Sequence, residues 1–427
     1  MVLQEHLTER NGSLFIEGVN SLELVREFGT PLFVTSSARV VSNYRRIHRA
    51  FSSKRTRFRI HYALKANSNL AVLRLLKREG ASADCSSIPE IYFATFAGYR
   101  PEEILYSGNY NSDEELKFAL ESGVTINLDD GPLLNRLVRF GKPEIISFRI
   151  NPGVGKGGFA GITTAGPAAK FGMREREAIA AYRTAAKLGI KRFGMHMMTG
   201  SNILDCNYFG MITGRLMKVA SDVSRELGIS FDFIDIGGGF GIPYGPSENE
   251  LDITHTAELV VNAFEEALSS NSGIGNPELV IEPGRYIVGD STVLLSSVTH
   301  VKRSYSTFVG CDAGMNVLLR PALYGAYHEV LIANAMTRRA KSRVNITGQI
   351  CENTDIIARN RMLASARSGD ILAILNAGAY GFSMGSRYNG RPLAAEVMII
   401  GGRAELTRER EGFAEMLSRQ RVPPSLL

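Results

Sequence analysis

The stretch "FRIHYALKANSNLAVLRLLKRE", residues 58–79, contains the repeating unit that decides the fold. Its first part, through Leu64, is rich in β-branched and aromatic residues and reads as a buried strand. Its second part, "NLAVLRLLKRE", places apolar residues three and four apart, the period of an amphipathic helix. Lys65 sits in the short turn between them. The same texture recurs from about residue 57 to residue 285, with further strands at "GASADCSS", "EILYSGN", "VTINLDD", "IISFRINP", "RFGMHMM", "FDFIDIGGG" and "ELVIEPGR". Helical patterns such as "DEELKFALES", "EREAIAAYRTAAKLG" and "MITGRLMKVASDVSRELG" lie between them. Strands alternating with helices imply a parallel sheet, because each parallel connection needs a long crossover. Eight such units close a (β/α)8 barrel. An open doubly wound sheet is the competing architecture, and the count favours the barrel.

Beyond about Asp290 helical periods give way to "STVLLSSVTHVKRS", "SRVNITGQI", "DILAILNAGAY" and "AAEVMIIGGRAELT", runs separated by Gly, Asn and Asp. These read as strands of a mostly antiparallel domain. The expected organisation is α/β: a barrel over residues 31–288, and a β-sandwich-like domain over 289–427 completed by the N-terminal segment 1–30. One segment breaks the rhythm. "GVGKGGFAGITTAGPAAKFGM", after the fifth strand, is long, glycine-rich and aperiodic, and is expected over the active face as a mobile cover.

At 427 residues the chain exceeds one ordinary core, in keeping with two domains. With 44% hydrophobic and 22% charged residues the composition is that of a soluble protein, and no run is long and apolar enough for a membrane span. The N-terminus "MVLQEHLTERNGSLF" carries acidic residues and no apolar core, unlike a secretion signal. Cys85, Cys206, Cys311 and Cys351 lack zinc spacing or pairing, which favours free thiols in a reducing cytoplasm and no metal centre. The net charge of +6 is dispersed. "RTRFRI" and "TRRAKSR" lack interleaved aromatics, so they read as charge-protected strand edges rather than a nucleic-acid surface.

In (β/α)8 barrels chemistry sits at the C-terminal ends of the strands, and a phosphate site often forms after the seventh and eighth. Lys65 ends the first strand here, Asp84 the second and "SGN" (107–109) the third. Asn151 follows the fifth strand, "HMMTGSN" (196–202) ends the sixth, "GGGFG" (237–241) the seventh and "EPGR" (282–285) the eighth. Singly, each has an ordinary reading: an ion pair for Lys65, a tight turn for the glycines, a solvated or capping carboxylate for Glu282. Together they have a second. A lysine amine can form a Schiff base, backbone N–H groups unobstructed by side chains can hold a phosphate, and a carboxylate can keep a ring nitrogen protonated. These are the parts of a pyridoxal phosphate (PLP) site.

The sequence resembles the PLP-dependent decarboxylases with an alanine-racemase-like (fold type III) barrel, and within them the diaminopimelate decarboxylase family. "YALKANSN", "SDEEL", "IDIGGGFG", "EPGR", "DAGMNVLLRPALYGAYHEV", "GQICENTD" and "AYGFSMGSRYNGRP" look like its motifs, in order, over nearly the whole chain. The resemblance implies a PLP-dependent carboxy-lyase working as a head-to-tail homodimer with shared active sites. By motif match, Lys65 carries PLP, Ser201, Gly237, Gly238 and Gly239 hold its phosphate with Arg285 nearby, and Glu282 pairs with the ring nitrogen. Tyr380 touches cofactor and substrate, while Arg285, Arg320 and Tyr324 bind the far carboxylate of a diamino-acid substrate. From the partner subunit, Cys351 supplies a proton and Glu352 reaches the distal amino group.

The implied reaction converts meso-diaminopimelate to L-lysine and CO2. Three positions depart from the family pattern: Met198 stands where a ring-stacking histidine is usual, "CENTD" replaces "CESGD", and Asn202 replaces a glutamine. Alternatives are decarboxylation of D-lysine, D-ornithine or another diamino acid, an amino-acid racemase on the same barrel, and a non-catalytic paralogue. Retention of Lys65, the glycine run, Glu282 and Cys351 weighs against the last.

Overall fold

The eight strands close into a barrel in chain order, every neighbouring pair parallel. They are Phe58–Ala63, Ser82–Cys85, Ile104–Tyr106, Thr125–Leu128, Ile145–Ile150, Arg192–Met197, Phe233–Asp235 and Glu278–Ile281. Closure comes from the last strand on the first, with Leu279 opposite Phe58 and Ile281 opposite Ile60. The computed structural model describes residues 3–52 and 56–426. The helix Leu70–Arg78 begins where the Asn69 side chain accepts the Ala71 N–H, and it buries Val72, Leu73 and Leu76. Helix Asp113–Glu121 starts at a reciprocal capping box between Ser112 and Glu115.

Two compact units emerge. One, residues 40–243 and 247–288, holds the barrel. The other comprises the chain up to Arg39, Tyr244–Pro246 and the chain from Gly289 onward. The second unit is a nine-stranded, mostly antiparallel sheet, joined by a small antiparallel sheet of Leu7–Arg10, Ser13–Ile16 and Val19–Asn20. The strand Thr292–Arg303 organises it: its first half pairs with Leu32–Ser36 and Ile371–Ile374, its second half with Thr307–Cys311. Along it Val293 and Leu295 enter one apolar cluster while Leu294 and Val298 enter another. This is the two-residue alternation of a strand buried on both faces.

One expectation changes. The N-terminal boundary falls at 39/40 rather than 30/31, because Leu32–Ser36 sits mid-sheet in the β unit, antiparallel to Thr292–Arg303 and parallel to Ala395–Ile400. Within "RTRFRI", Phe58–Ile60 pairs with the eighth strand, and pairing with the second begins only at His61. Within "TRRAKSR", Ala340, Ser342 and Arg343 pair with Ile356–Ala364, and pairing with Thr307–Cys311 begins only at Asn345. The glycine-rich loop is hydrogen-bonded to the segment that follows the sixth strand and to Asn151. Lys156 N–H donates to the Thr199 carbonyl (3.2 Å), Gly158 N–H to that of Ser201 (3.0 Å), and the Asn151 amide to the carbonyls of Gly166 and Phe171.

Candidate active site

The first barrel strand ends in a short 3-10 turn, Leu64–Ala66. The Tyr62 hydroxyl donates to the Asn67 carbonyl at 2.9 Å and Asn67 Oδ1 accepts the Asn69 N–H, so the turn is braced before the helix begins. Lys65 projects from it, its Nζ 2.5 Å from Asp84 Oδ2. Asp84 is fully buried, and its other oxygen accepts the Ser107 hydroxyl at 2.5 Å. Burial and the Glu282 carboxylate push Asp84 up, Lys65 and Ser107 pull it down, and the net direction is up. The pair can thus place its proton on the carboxylate as well as on the amine.

A second chain of bonds crosses the barrel. Ser147 Oγ donates to Asn127 Oδ1 (2.9 Å), and the Asn127 amide faces His196 Nδ1 (3.2 Å). This leaves Nε2 to carry the hydrogen toward Glu282 Oε2, 3.4 Å away. Glu282, at 3% exposure, has a second oxygen, Oε1, with no hydrogen-bond partner among the described residues. Burial pushes Glu282 up, but His196, Lys65 and His61 outweigh it and hold the carboxyl below its ordinary range. Asp235 moves the opposite way, well up, through burial and then the Glu282 charge. Ligating atoms of His196, Asp235 and Glu282 lie within 4.8 Å of one another, so one proton between the two carboxylates settles most naturally on Asp235.

Asp235 Oδ1 accepts the Gly237 N–H at 2.7 Å and so starts the glycine run. Gly237 and Gly239 have φ of +73° and +98°, a region that favours glycine. A Cβ on Gly237 would lie 2.2 Å from the Met197 carbonyl oxygen, and one on Gly238 2.3 Å from that of Glu282. The run is therefore bare backbone pressed against the ends of the sixth and eighth strands. Arg285, 5% exposed, opens the short helix after the eighth strand and donates from Nη2 to Ser201 Oγ at 3.1 Å.

The β unit holds the other expected residues. Arg320 is buried, with Nη1 2.8 Å from His328 Nε2 and its guanidinium over the Tyr244 ring. Tyr324 and Tyr380 are half-buried, and Tyr380 has φ +56°. Cys351 is exposed, whereas Cys85 and Cys311 are buried; all four cysteines are free. The Cys351 N–H donates to Asn389 Oδ1 (3.0 Å), and Asn389 Nδ2 lies 3.1 Å from its Sγ. Glu352 accepts the Tyr388 hydroxyl at 3.0 Å and the Thr354 hydroxyl at 3.0 Å.

The barrel unit thus gathers Lys65, Ser201, Gly237, Gly238, Gly239, Glu282 and Arg285. It adds Asp84, Ser107, Asn127, His196 and Asp235, whose partnerships sequence reading left unassigned. Each departure from the family motifs has a local contact. Met198 Sδ accepts the Gly238 N–H at 3.2 Å, Asn202 Oδ1 accepts the Ile242 N–H at 3.1 Å, and Thr354 holds Glu352. The cradle's second N–H is therefore met by a thioether.

A family model for the pyridoxal-dependent decarboxylase, pyridoxal binding domain, matches residues 37–289. A diaminopimelate decarboxylase of Methanothermobacter thermautotrophicus is 47% identical, covering 97% of each chain. Among solved structures, diaminopimelate decarboxylase from M. jannaschii matches with a TM-score of 0.92 at 33% identity, covering 99% of each chain. Its co-complex with L-lysine matches with the same TM-score at 32% identity. No helix among the described residues is long and apolar enough to cross a membrane. A lysine, a buried carboxylate and a side-chain-free backbone run at one end of a closed barrel, matched along the full chain, leave one conclusion: the chain belongs to the PLP-dependent decarboxylases of fold type III, in the diaminopimelate decarboxylase family.

Proposed function

We propose that the protein decarboxylates meso-diaminopimelate to L-lysine, acting as a cytoplasmic homodimer in which Cys351 and Glu352 serve the partner's site. The reading is carried by one constellation, the amine of Lys65, the orphaned Oε1 of Glu282 and the bare 237–239 backbone, all at the C-terminal ends of the barrel strands. The substrate comes from the relatives, which are named diaminopimelate decarboxylases over nearly the whole chain.

The residues fit PLP. Glu282 is a buried carboxylate flanked by His196 and Asp235, and its Oε1 would accept from a protonated ring nitrogen. The glycine run presents backbone without side chains, its Gly237 and Gly238 N–H groups held by Asp235 and Met198, and Arg285 with Ser201 would supply charge and a hydroxyl for a phosphate beside it. When bound, PLP would supply an electron sink for the pair released at the α-carbon as CO2 leaves. Lys65 would hold the cofactor through Nζ. Asp84 Oδ2 takes the proton that Nζ must lose to become a nucleophile. Glu282, held below the usual carboxylate range, would keep the ring nitrogen protonated. Arg320 and Tyr324 receive the far carboxylate, for which the arginine fork is better suited than a lysine. Cys351 Sγ returns a proton to the α-carbon, and Glu352, steadied by Tyr388 and Thr354, receives the distal ammonium.

The test is a panel of meso-diaminopimelate, both enantiomers of lysine and ornithine, and arginine, followed by CO2 release and product amine. meso-Diaminopimelate should turn over fastest and yield L-lysine. Faster turnover of D-lysine or D-ornithine would overturn the substrate, and loss of optical activity without CO2 would make the protein a racemase.

A further inference from the structure

Arg320 does not stand alone in the β unit. Its Nη1 lies 2.8 Å from His328 Nε2, and His328 Nδ1 lies 2.9 Å from the Leu375 carbonyl oxygen. A guanidinium nitrogen can only donate and a carbonyl oxygen can only accept. The two partners therefore fix the imidazole completely: Nδ1 carries the hydrogen and Nε2 offers a lone pair to Arg320. A doubly protonated ring would set donor against donor at Nε2. The Tyr244 ring closes the group, 4.3 Å from the guanidinium carbon and edge-on to the His328 ring at 5.4 Å. Arg320 and His328 are 2% and 0% exposed, so water does not compete for these contacts.

Such a bracket constrains an arginine in two ways at once. The hydrogen bond fixes one terminal nitrogen within the guanidinium plane, and the aromatic face fixes the plane itself. An acidic partner in the place of His328 would also orient the fork, but it would bring a negative charge against any incoming carboxylate. Neutral imidazole orients without adding that charge. On the reading that Arg320 binds the substrate's far carboxylate, we propose that His328 is a positioning residue that aims Arg320 and thereby sets the preference for substrates bearing a carboxylate at that end. His328 itself does not touch the reacting atoms.

The experiment uses the full-length holoenzyme and two ligands that differ at the far end: L-lysine, which keeps the far carboxylate, and cadaverine, which lacks it. Inhibition constants for both, with kcat and KM for meso-diaminopimelate, are compared in wild type, His328→Phe, His328→Gln and Arg320→Ala. His328→Phe should raise KM and the L-lysine constant roughly tenfold to a hundredfold, the weight of one hydrogen bond to a charged group. Cadaverine inhibition and kcat should change little. His328→Gln, whose amide oxygen can accept from Nη1, should recover most of the loss and covers the case in which the Phe variant folds poorly. Equal weakening toward both ligands, or no recovery in a folded His328→Gln protein, would reduce His328 to a packing residue and overturn the proposal. If Arg320→Ala impairs L-lysine binding while His328→Phe does not, only the role of His328 falls. If Arg320→Ala leaves L-lysine binding unchanged, the carboxylate reading falls, and this inference with it.

Discussion

The strand ends of the barrel and the loop of residues 350–355 are assigned to one reaction, yet they are built in opposite ways. Asp84, His196 and Glu282 are buried and linked in chains of hydrogen bonds. Residues Cys351, Glu352, Asn353 and Thr354 are all exposed, and their bonds to Tyr388 and Asn389 compete with water. Only the base of that loop is firm, where buried Asp355 accepts the N–H groups of Met315 and Ile350. Buried charged networks are costly to disturb and rigid, whereas exposed pairs contribute little. The contrast teaches that the cofactor's chemistry is prearranged within one chain. Cys351, the proton donor of the proposed function, by comparison sits on a surface that becomes a low-dielectric environment only when something covers it.

The largest effect should come from the prearranged side. Lys65→Ala is expected to abolish the visible absorbance of the lysine-bound cofactor and to lower kcat/KM by at least about a thousandfold. Its thermal midpoint should stay within about 4 °C of wild type. Asp84 tolerates the loss of its cation because burial already pushes it toward the neutral form. Near-normal decarboxylation by the variant would remove Lys65 from the chemistry.

The exposed side is tested by complementation. If Cys351 serves the neighbouring subunit, inactive Lys65→Ala and inactive Cys351→Ala chains, mixed and allowed to exchange, should regain about a quarter of wild-type activity, since half the dimers are mixed and each holds one intact site. No recovery after exchange has been verified by native mass spectrometry would place both residues in the same chain's site and dissolve the contrast. A smaller loss is expected at Arg320. Arg320→Ala should lower kcat/KM for meso-diaminopimelate roughly tenfold to a hundredfold, about 1.5–3 kcal/mol for a charged hydrogen bond. An unchanged value would leave the buried arginine with a structural task alone.

The same contrast separates what the sequence disclosed from what it hid. Eight strand–helix repeats and the residues that end each strand were legible, because period and chain order are local properties. The boundary at residue 39 was not: "TPLFV" has the texture of any buried strand, and nothing local says which sheet it will join. Asp84, Asn127, His196, Asp235 and His328 went without roles for a related reason. Their meaning lies in partners far along the chain, such as His196 with Glu282 or Asn127 with His196. Asp235 is hidden further by sitting inside the apolar run "FDFIDIGGG", where it reads as a strand residue. An acidic residue at the end of a buried apolar strand was the available signal.

That residue supports the smallest and most diagnostic prediction. Asp235 is fully buried; Oδ1 takes the Gly237 N–H, and Oδ2 has no partner among the described residues. Burial, then the Glu282 charge, raises it well above the usual carboxylate range. A raised folded-state pKa contributes stability that is complete below the unfolded value of about 4 and is lost as pH rises through the folded value. Asparagine mimics the protonated acid: its oxygen can accept from Gly237 and its amide can face Glu282, with no proton to lose. Asp235→Asn should therefore melt, without cofactor, at or up to about 4 °C above wild type at neutral pH, with a flatter dependence on pH above about 4. Its kcat should stay within about threefold of wild type, because Glu282 keeps its charge. Asp235→Ala, which leaves the Gly237 N–H unmet, should melt lower at every pH. Should the asparagine variant melt as low as the alanine one at neutral pH, Asp235 would be an ionised partner in the folded protein, and the shared proton would have to reside on Glu282 instead.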